Sequence, residues 1–154
     1  VQVRVHDFSA RSRLLVVLNI QQQDIQWSDY IPTQQEAFIE DGIRLAASAC
    51  VHALRAGLSA GFASNMPIAQ AQDSTLLLPC DGPVQEETLL AAFARLRLHR
   101  TETFPSLLDS LTEHTGLDLL ILSPYDSESI QTMLNKLRHA GNQVSFLLLK
   151  GGGV

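Results

Sequence analysis

The sequence predicts an α/β domain with a three-layer, open and mostly parallel sheet, helices on both of its faces and one antiparallel edge strand. Two observations lead to this prediction. Apolar runs typical of strands buried on both faces occur at 14–18 and 117–122, and a last apolar strand follows at 144–149. Segments with apolar residues at helical spacing separate them, and this alternation implies parallel strands joined by right-handed crossovers. Without an internal repeat or a change in composition, the 154 residues fit one domain over 1–154.

The first elements are two strands and a long helix. Residues 1–5 alternate apolar and polar side chains, which is typical of a half-exposed strand. Residues 14–18 follow as a central strand. Thr33-Gln34-Gln35-Glu36 is a capping-box pattern, and it predicts the start of a helix that runs to about Ala56, with Gly57 as its C-cap.

A hairpin and a second set of alternating elements complete the chain. Strands over 58–63 and 75–78 are close enough in sequence to pair at a sheet edge. Two helices are predicted next: one runs from Val84 to about Leu98, with Leu89, Leu90, Phe93 and Leu96 on one face, and the other from Phe104 or Pro105 to about His114. A strand over 117–122 follows. The last predicted elements are a helix that starts at Asp126-Ser127-Glu128-Ser129 and ends before Gly141, and a strand over 144–149.

The charge balance argues against a nucleic-acid partner. The formal net charge is −5, and no basic run is present to neutralise phosphates. The nearest approach to a basic patch is the group Arg95, Arg97, His99 and Arg100, interpreted as the solvated end of a helix.

Composition also bears on localisation. Neither a secretory signal nor an apolar stretch of bilayer-spanning length is present. Cys50 and Cys80 are interpreted as reduced thiols of a cytoplasmic domain, with a disulfide between them left open. Because the chain begins with Val1 and not Met, we expect it to be a fragment of a longer protein.

The sequence lacks several motifs that are typical of catalytic, nucleotide-binding or metal-binding sites. It contains neither GxGxxG nor GxxxxGK[ST], which weighs against dinucleotides and a phosphate cradle. The five histidines are dispersed, and neither cysteine has a partner at zinc-ligand spacing. Ser123 has no GxSxG sequence around it. In an open α/β sheet the ligand lies beyond the carboxyl ends of the strands, so the loops of interest are 19–32, 101–103 and 123–127.

The order and spacing of these segments resemble a von Willebrand factor A-like domain, specifically the C-terminal part of the bacterial domain-of-unknown-function family fifty-eight. The resemblance covers nearly the whole chain. It is carried by the segments Val3-Arg4-Val5-His6-Asp7-Phe8, Arg13-Leu14-Leu15-Val16-Val17-Leu18, Gly42-Ile43-Arg44-Leu45-Ala46-Ala47-Ser48, Leu119-Leu120-Ile121-Leu122-Ser123 and Leu137-Arg138-His139-Ala140-Gly141-Asn142-Gln143-Val144.

The resemblance implies a metal-ion-dependent adhesion site that has lost its ligands. Family members carry Asp-x-Ser-x-Ser after the first strand, a Thr in a middle loop and an Asp after the fourth strand, oxygens that suit Mg²⁺. Here the first motif matches Asn19-Ile20-Gln21-Gln22-Gln23, the Thr matches Thr101 or Thr103, and the last position falls at Ser123-Pro124. We therefore expect no magnesium and no other cofactor, with Asp24 or Asp126 as the only carboxylates that could restore a site.

The resemblance further implies a non-enzymatic protein-interaction domain, the cytoplasmic module of a membrane-anchored bacterial protein that acts with a MoxR-type AAA ATPase. Partner contacts are expected at Asn19, Gln21, Gln23, Trp27, Tyr30, Thr101, Ser123, Tyr125 and Asp126, with Trp27, Tyr30 and Tyr125 as aromatic anchors. The alternative is a small-molecule-binding or hydrolytic domain that uses Ser123, Asp126 and Thr101 at the same edge; only the analogy with enzymes of this architecture supports it.

Overall fold

A computed structural model describes residues 12–22 and 33–149 of the chain, with only the backbone described at 33–36. The predicted order of strands and helices is confirmed for these residues. The predicted strand over 1–5 lies outside them. The elements are β1 (Arg13–Leu18), α1 (Thr33–Arg55), β2 (Ser59–Ser64), β3 (Thr75–Cys80), α2 (Pro83–Ala94), α3 (Phe104–Leu111), β4 (Asp118–Ser123), α4 (Glu128–His139) and β5 (Gln143–Leu148).

The strands form one sheet in the order β3-β2-β1-β4-β5. β1 runs parallel to β2 and to β4, and β4 runs parallel to β5. β3 pairs antiparallel with β2 at the edge, so the predicted hairpin and the predicted antiparallel edge strand are both confirmed. The order of the strands is that of a doubly wound sheet, in which the connections leave the central strands in two directions.

Helices cover both faces of the sheet, as the fold class requires. The side chains of β1 alternate between the faces: Val16 and Leu18 pack with the buried residues of α1 and α2, whereas Leu15 and Val17 pack with those of α3 and α4. All four are essentially inaccessible to solvent. The continuous apolar run of β1 therefore belongs to a strand with a hydrophobic layer on each side.

The predicted end of α2 at Leu98 is wrong, because the helix stops at Ala94. Beyond it the backbone pairs with the loop after β2: Leu96 forms a β-bridge with Ile68, and Arg97 N–H donates to Pro67 O at 2.9 Å. These bonds replace the helical ones. Leu90, which periodicity placed on the buried face, is exposed.

The predicted end of α3 at His114 is also too late, because the helix ends at Leu111. Asn142, which follows α4, holds the connecting segment. Its Nδ2 donates to His114 O at 2.9 Å, and its Oδ1 accepts from Leu117 N–H at 3.0 Å. The segment is thereby directed into β4 and does not continue the helix.

Two further observations concern the expectations about membranes and disulfides. Among the described residues, no helix combines the length and the apolar composition that crossing a bilayer requires. Cys50 is buried in α1, Cys80 is exposed in β3, and both are free thiols.

Candidate functional site

The candidate site lies at the carboxyl ends of β1 and β4, the two adjacent strands at the centre of the sheet. The chain leaves β1 for α1 on one face and leaves β4 for α4 on the other. In doubly wound sheets this divergence opens the crevice that binds ligands. Asn19 directly follows β1 and Ser123 ends β4, so both predicted residues lie at this crevice.

The Asn19 side chain connects the two strands and is almost fully buried, with 1% of its surface exposed. Its Nδ2 donates to Ser123 Oγ at 3.1 Å and to Gln21 O at 3.2 Å. Its Oδ1 accepts from Gln21 N–H at 2.8 Å and from Asn65 Nδ2 at 2.9 Å. An asparagine amide offers two donors and two acceptor lone pairs, and all of them are used here.

Asn65 supplies the third side of this arrangement from the end of β2, the other neighbour of β1. Its Oδ1 accepts from Ile20 N–H at 3.0 Å, and its backbone carbonyl accepts from both the N–H and the Oγ1 of Thr101. Asn65 was not among the predicted site residues. The signal for it was available, since a polar residue directly after a buried strand is the same pattern that singled out Asn19.

Gln21 extends the arrangement to α3. The side chain is fully buried, and its Oε1 accepts from the backbone N–H of Phe104, the first residue of α3, at 2.7 Å. The first N–H groups of a helix have no partner within the helix and carry partial positive charge. The Gln21 amide therefore occupies the space beside the crevice and caps this helix. We call Asn19, Gln21, Asn65 and Ser123 the amide network.

Ser123 is fully buried and its hydroxyl is committed within this network. Ser123 Oγ donates to Tyr125 O at 2.6 Å and accepts from Asn19 Nδ2. A serine nucleophile needs a basic side chain as the acceptor of its proton, whereas the acceptor here is a backbone carbonyl.

The other predicted residues are distributed around the network. Asp126 is exposed and accepts from Gln131 Nε2 at 3.0 Å, while Tyr125 is half-buried and packs against the α3–α4 side of the core. These two residues form the rim of the crevice. The predicted contacts Gln23, Trp27 and Tyr30, together with the possible metal ligand Asp24, lie outside the described residues.

The network does not fit a magnesium ion. Mg²⁺ requires an octahedral set of oxygens, usually with a carboxylate among them. The oxygens of the network are amide and hydroxyl oxygens, and both lone pairs of Asn19 Oδ1 are engaged. Within residues 12–22 and 33–149, no group of three or more His, Cys, Asp and Glu side chains could hold a metal ion, and each buried side-chain nitrogen or oxygen has a partner.

Thr101 lies where the network meets the surface. Its Oγ1 is 2.6 Å from Ser74 Oγ, which donates its proton to Glu102. Thr103, the alternative match for the family threonine, is instead the N-cap of α3, where its side chain accepts from Ser106 N–H. Ser74 and Glu102 were not predicted, because only the tertiary fold brings the start of β3 beside this turn.

A groove of about 360 Å³ opens beside Thr101. It lies between the start of β3 and the helix α3, and we call it the β3–α3 groove. Its lining includes Asp73, Leu76, Glu102, Leu107, Ser110 and Leu111.

Comparison with known proteins gives a likeness of fold alone. The sequence matches no known protein family and no curated protein. Among fourteen solved chains that match is the crystal structure of the SpRpn10 VWA domain, at 11% sequence identity and a TM-score of 0.43, with 89% of this chain and 88% of that chain covered.

Proposed function

We propose that this chain is a non-enzymatic protein-interaction domain of the von Willebrand factor A-like kind, in which a hydrogen-bonded amide network stands where a metal-ion-dependent adhesion site would lie. The observation that supports the proposal is the closure of this network. Asn19, Gln21 and Ser123 are buried at the crevice, and their described hydrogen bonds are made to one another, to Asn65 and to backbone groups.

The energetics of the network favour a structural role over ligand binding inside the crevice. Leaving one buried polar group without a partner costs about 1–3 kcal/mol. A cation or small molecule seated between β1 and β4 would displace several of the bonds to Asn19 and would have to replace each of them. Contacts with a partner across the outside of the network carry no such cost.

The partner surface in this proposal is the rim of the crevice. Tyr125 and Asp126 form its described part, and Trp27 and Tyr30, predicted from sequence, would add the aromatic residues that dominate binding energies at many interfaces. In the finer form of the proposal, the domain belongs to a membrane-anchored bacterial protein of the family fifty-eight and the partner is a MoxR-type AAA ATPase. That part rests on the sequence resemblance alone.

The proposal predicts that divalent cations do not change the stability of the protein and that substitutions at the rim weaken its binding to the partner. Addition of Mg²⁺ or Mn²⁺ is expected to leave the melting temperature unchanged in a thermal-shift assay, because the network offers no carboxylate. The variants Tyr125→Ala, Asp126→Ala and Trp27→Ala are expected to fold but to lose capture of the MoxR-type ATPase encoded in the same genome.

Asp81→Ala is the matched control for Asp126→Ala. Both residues are exposed, but Asp81 follows the antiparallel strand β3 and lies at the opposite edge of the sheet. This control is expected to retain the ATPase. Saturable stabilisation by Mg²⁺, or full retention of the ATPase by the triple variant at Trp27, Tyr30 and Tyr125, would contradict the proposal.

A further inference from the structure

The β3–α3 groove is bounded by an edge strand on one side and by a helix on the other. Leu76 of β3 and Leu107 and Leu111 of α3 supply its apolar surface. Leu107 and Leu111 are buried, whereas Leu76 is 43% exposed. An edge strand beside a helix is the geometry in which several peptide-binding domains accept an extended segment as an additional strand.

The outer edge of β3 offers backbone groups for such a segment. The N–H of Thr75 points inwards, towards Met66 O, and successive residues of a strand direct their backbone groups to opposite sides. The N–H and C=O of Leu76 therefore point away from β2. The ladder is short, because Leu78 O accepts from Gln85 Nε2 and Pro79 has no N–H.

The first half of β3 lacks the charged side chains that usually protect an exposed edge, whereas Pro79 and the shift of register protect its far end. Native edge strands commonly carry charged side chains that prevent pairing with another chain. Thr75–Cys80 contains no charged residue, and Leu76 and Leu78 expose 43% and 42% of their surface. The edge from Thr75 to Leu78 is thus largely apolar and free of charge, which favours pairing over this stretch.

The charges of the groove determine the kind of segment that fits. Asp73 and Glu102 line it, and none of the Lys and Arg residues in the described part of the chain does. Ser106 Oγ donates to Glu102 Oε1 at 2.8 Å and Ser74 Oγ donates to Oε2. These hydroxyls orient the carboxylate but leave it lone pairs, because a carboxylate has about four acceptor positions. An ammonium or guanidinium group is the complementary donor.

We infer that the β3–α3 groove binds an extended peptide, which adds to the Ser74–Leu76 edge as a strand and places a Lys or Arg side chain against Glu102 and Asp73. A segment of about five residues, roughly 16 Å long, would span the stretch from Gln72 to Leu76. The inference rests on the proposed function only in that the domain binds protein, and it uses a different surface from the rim at Tyr125 and Asp126.

Selection from a random seven-residue peptide library displayed on phage tests the inference with the folded chain. We expect enriched peptides to carry Lys or Arg flanked by β-branched or aromatic residues. In NMR titrations with a synthetic copy, the amide resonances of Leu76 and Ser110 should shift. Two further peptides of this sequence carry N-methyl groups, one on its odd-numbered and the other on its even-numbered residues. Because only alternate N–H groups of the peptide face β3, one of these peptides should lose binding and the other should keep it.

Charge-removing variants test the assignment to the groove. Asp73→Asn and Glu102→Gln are each expected to weaken binding of the peptide about twofold to fivefold, as loss of a partly exposed ion pair does, and binding should weaken with salt. Glu113→Gln is the matched control, because Glu113 is exposed just after α3 and does not line the groove. Melting temperatures verify that each variant is folded.

Several results would overturn the inference. They are a library that yields no binder, binders without a basic residue, equal binding by the two N-methylated copies, or a dimer in solution that excludes the peptide and so assigns the groove to a second copy. These results are independent of the test of the proposed function. The groove could bind a peptide even if the domain does not bind the ATPase at its rim, and the domain could bind the ATPase even if the groove binds no peptide.

Discussion

At the scale of single residues, Asn19 joins the ends of three strands through one side chain. Its position at the carboxyl edge followed from the sequence, because it comes directly after a buried apolar run. Its partners did not follow, since Asn65 and Ser123 lie 46 and 104 positions further along the chain. Only the strand order β2-β1-β4 brings them together. Sequence reasoning therefore located the site but could not show that its polar groups satisfy one another.

Replacing Asn19 by aspartate tests whether the network tolerates the charge of a metal ligand. In Asn19→Asp the two donors to Ser123 Oγ and Gln21 O are lost, and we expect the free energy of unfolding at pH 8 to fall by about 2–4 kcal/mol. Burial raises the pKa of the new carboxyl above the value of about 3.9 in the unfolded chain. Relative to the unmodified protein, the variant is therefore most stable below about pH 3.9, and it loses stability as the pH rises through the pKa of the carboxyl in the folded state.

Urea unfolding of this variant and of the unmodified protein at pH 4.5 and pH 8 measures the effect, with the difference between them expected to grow with pH. Asn135→Asp on the exposed surface of α4 is the control, and should change stability by less than about 0.5 kcal/mol. If addition of Mg²⁺ restores the lost stability, a single carboxylate is enough to make the crevice bind a cation. This result would contradict the view that the network has only a structural role.

At the scale of elements, the sequence predicted which helices and strands exist and where α1 and α4 end, but not where α2 and α3 end. α2 ends early because Leu96 bridges to Ile68, and α3 ends early because Asn142 holds His114 and Leu117. In both cases a partner more than 20 residues away replaces the helical hydrogen bonds. The start of α4, which depends on local residues, was predicted correctly within Asp126-Ser127-Glu128-Ser129, and Ser127 is its N-cap.

Gly61 decides how closely β3 approaches β2. A Cβ there would lie 2.2 Å from Leu77 O and 2.7 Å from Pro79 N, at the position where the register of the two strands shifts. Because these are backbone atoms, relief requires β3 to move. We expect Gly61→Ala to lower the free energy of unfolding by about 2 kcal/mol or more, measured by urea unfolding, and to reduce peptide binding at the β3 edge.

Gly42→Ala is the matched substitution for this comparison. There a Cβ meets the tip of the Leu18 side chain at 3.0 Å, and alanine gains about 1 kcal/mol of helix propensity within α1. The net change is expected to stay within about 1 kcal/mol of zero. Equal losses of stability in the two variants would show that the close approach of β3 at Gly61 has no special cost.

At the scale of the whole molecule, the fold class was predictable because hydrophobic pattern and connectivity are coupled. Strands buried on both faces must be covered by helices on both faces, and helical crossovers between them make the sheet parallel. The short connection between β2 and β3 allows only the antiparallel pair, which is found at the edge. The function depends instead on which polar side chains contact one another in the folded chain. These contacts cannot be predicted from the order of the residues in the sequence.

The stability of the whole molecule should depend on one buried thiol at alkaline pH. Cys50 lies inside the α1 layer, and burial raises the pKa of its thiol from 9.0 to about 12. The folded state therefore holds this proton more tightly than the unfolded chain does. Its contribution to stability is complete below pH 9 and is lost as pH rises from about 9 towards 12, with a slope of at most about 1.4 kcal/mol per pH unit.

Urea unfolding between pH 8 and pH 11 measures this dependence against two variants. Cys50→Ala removes the titrating group, so its stability should fall less steeply with pH than that of the unmodified protein, even if the small cavity lowers stability at every pH. Cys80→Ala, at the exposed thiol of β3, should keep the steep dependence. If Cys50→Ala and the unmodified protein have parallel pH profiles, the thiol ionises equally in both states and Cys50 is more accessible to water than the packing of α1 against the sheet implies.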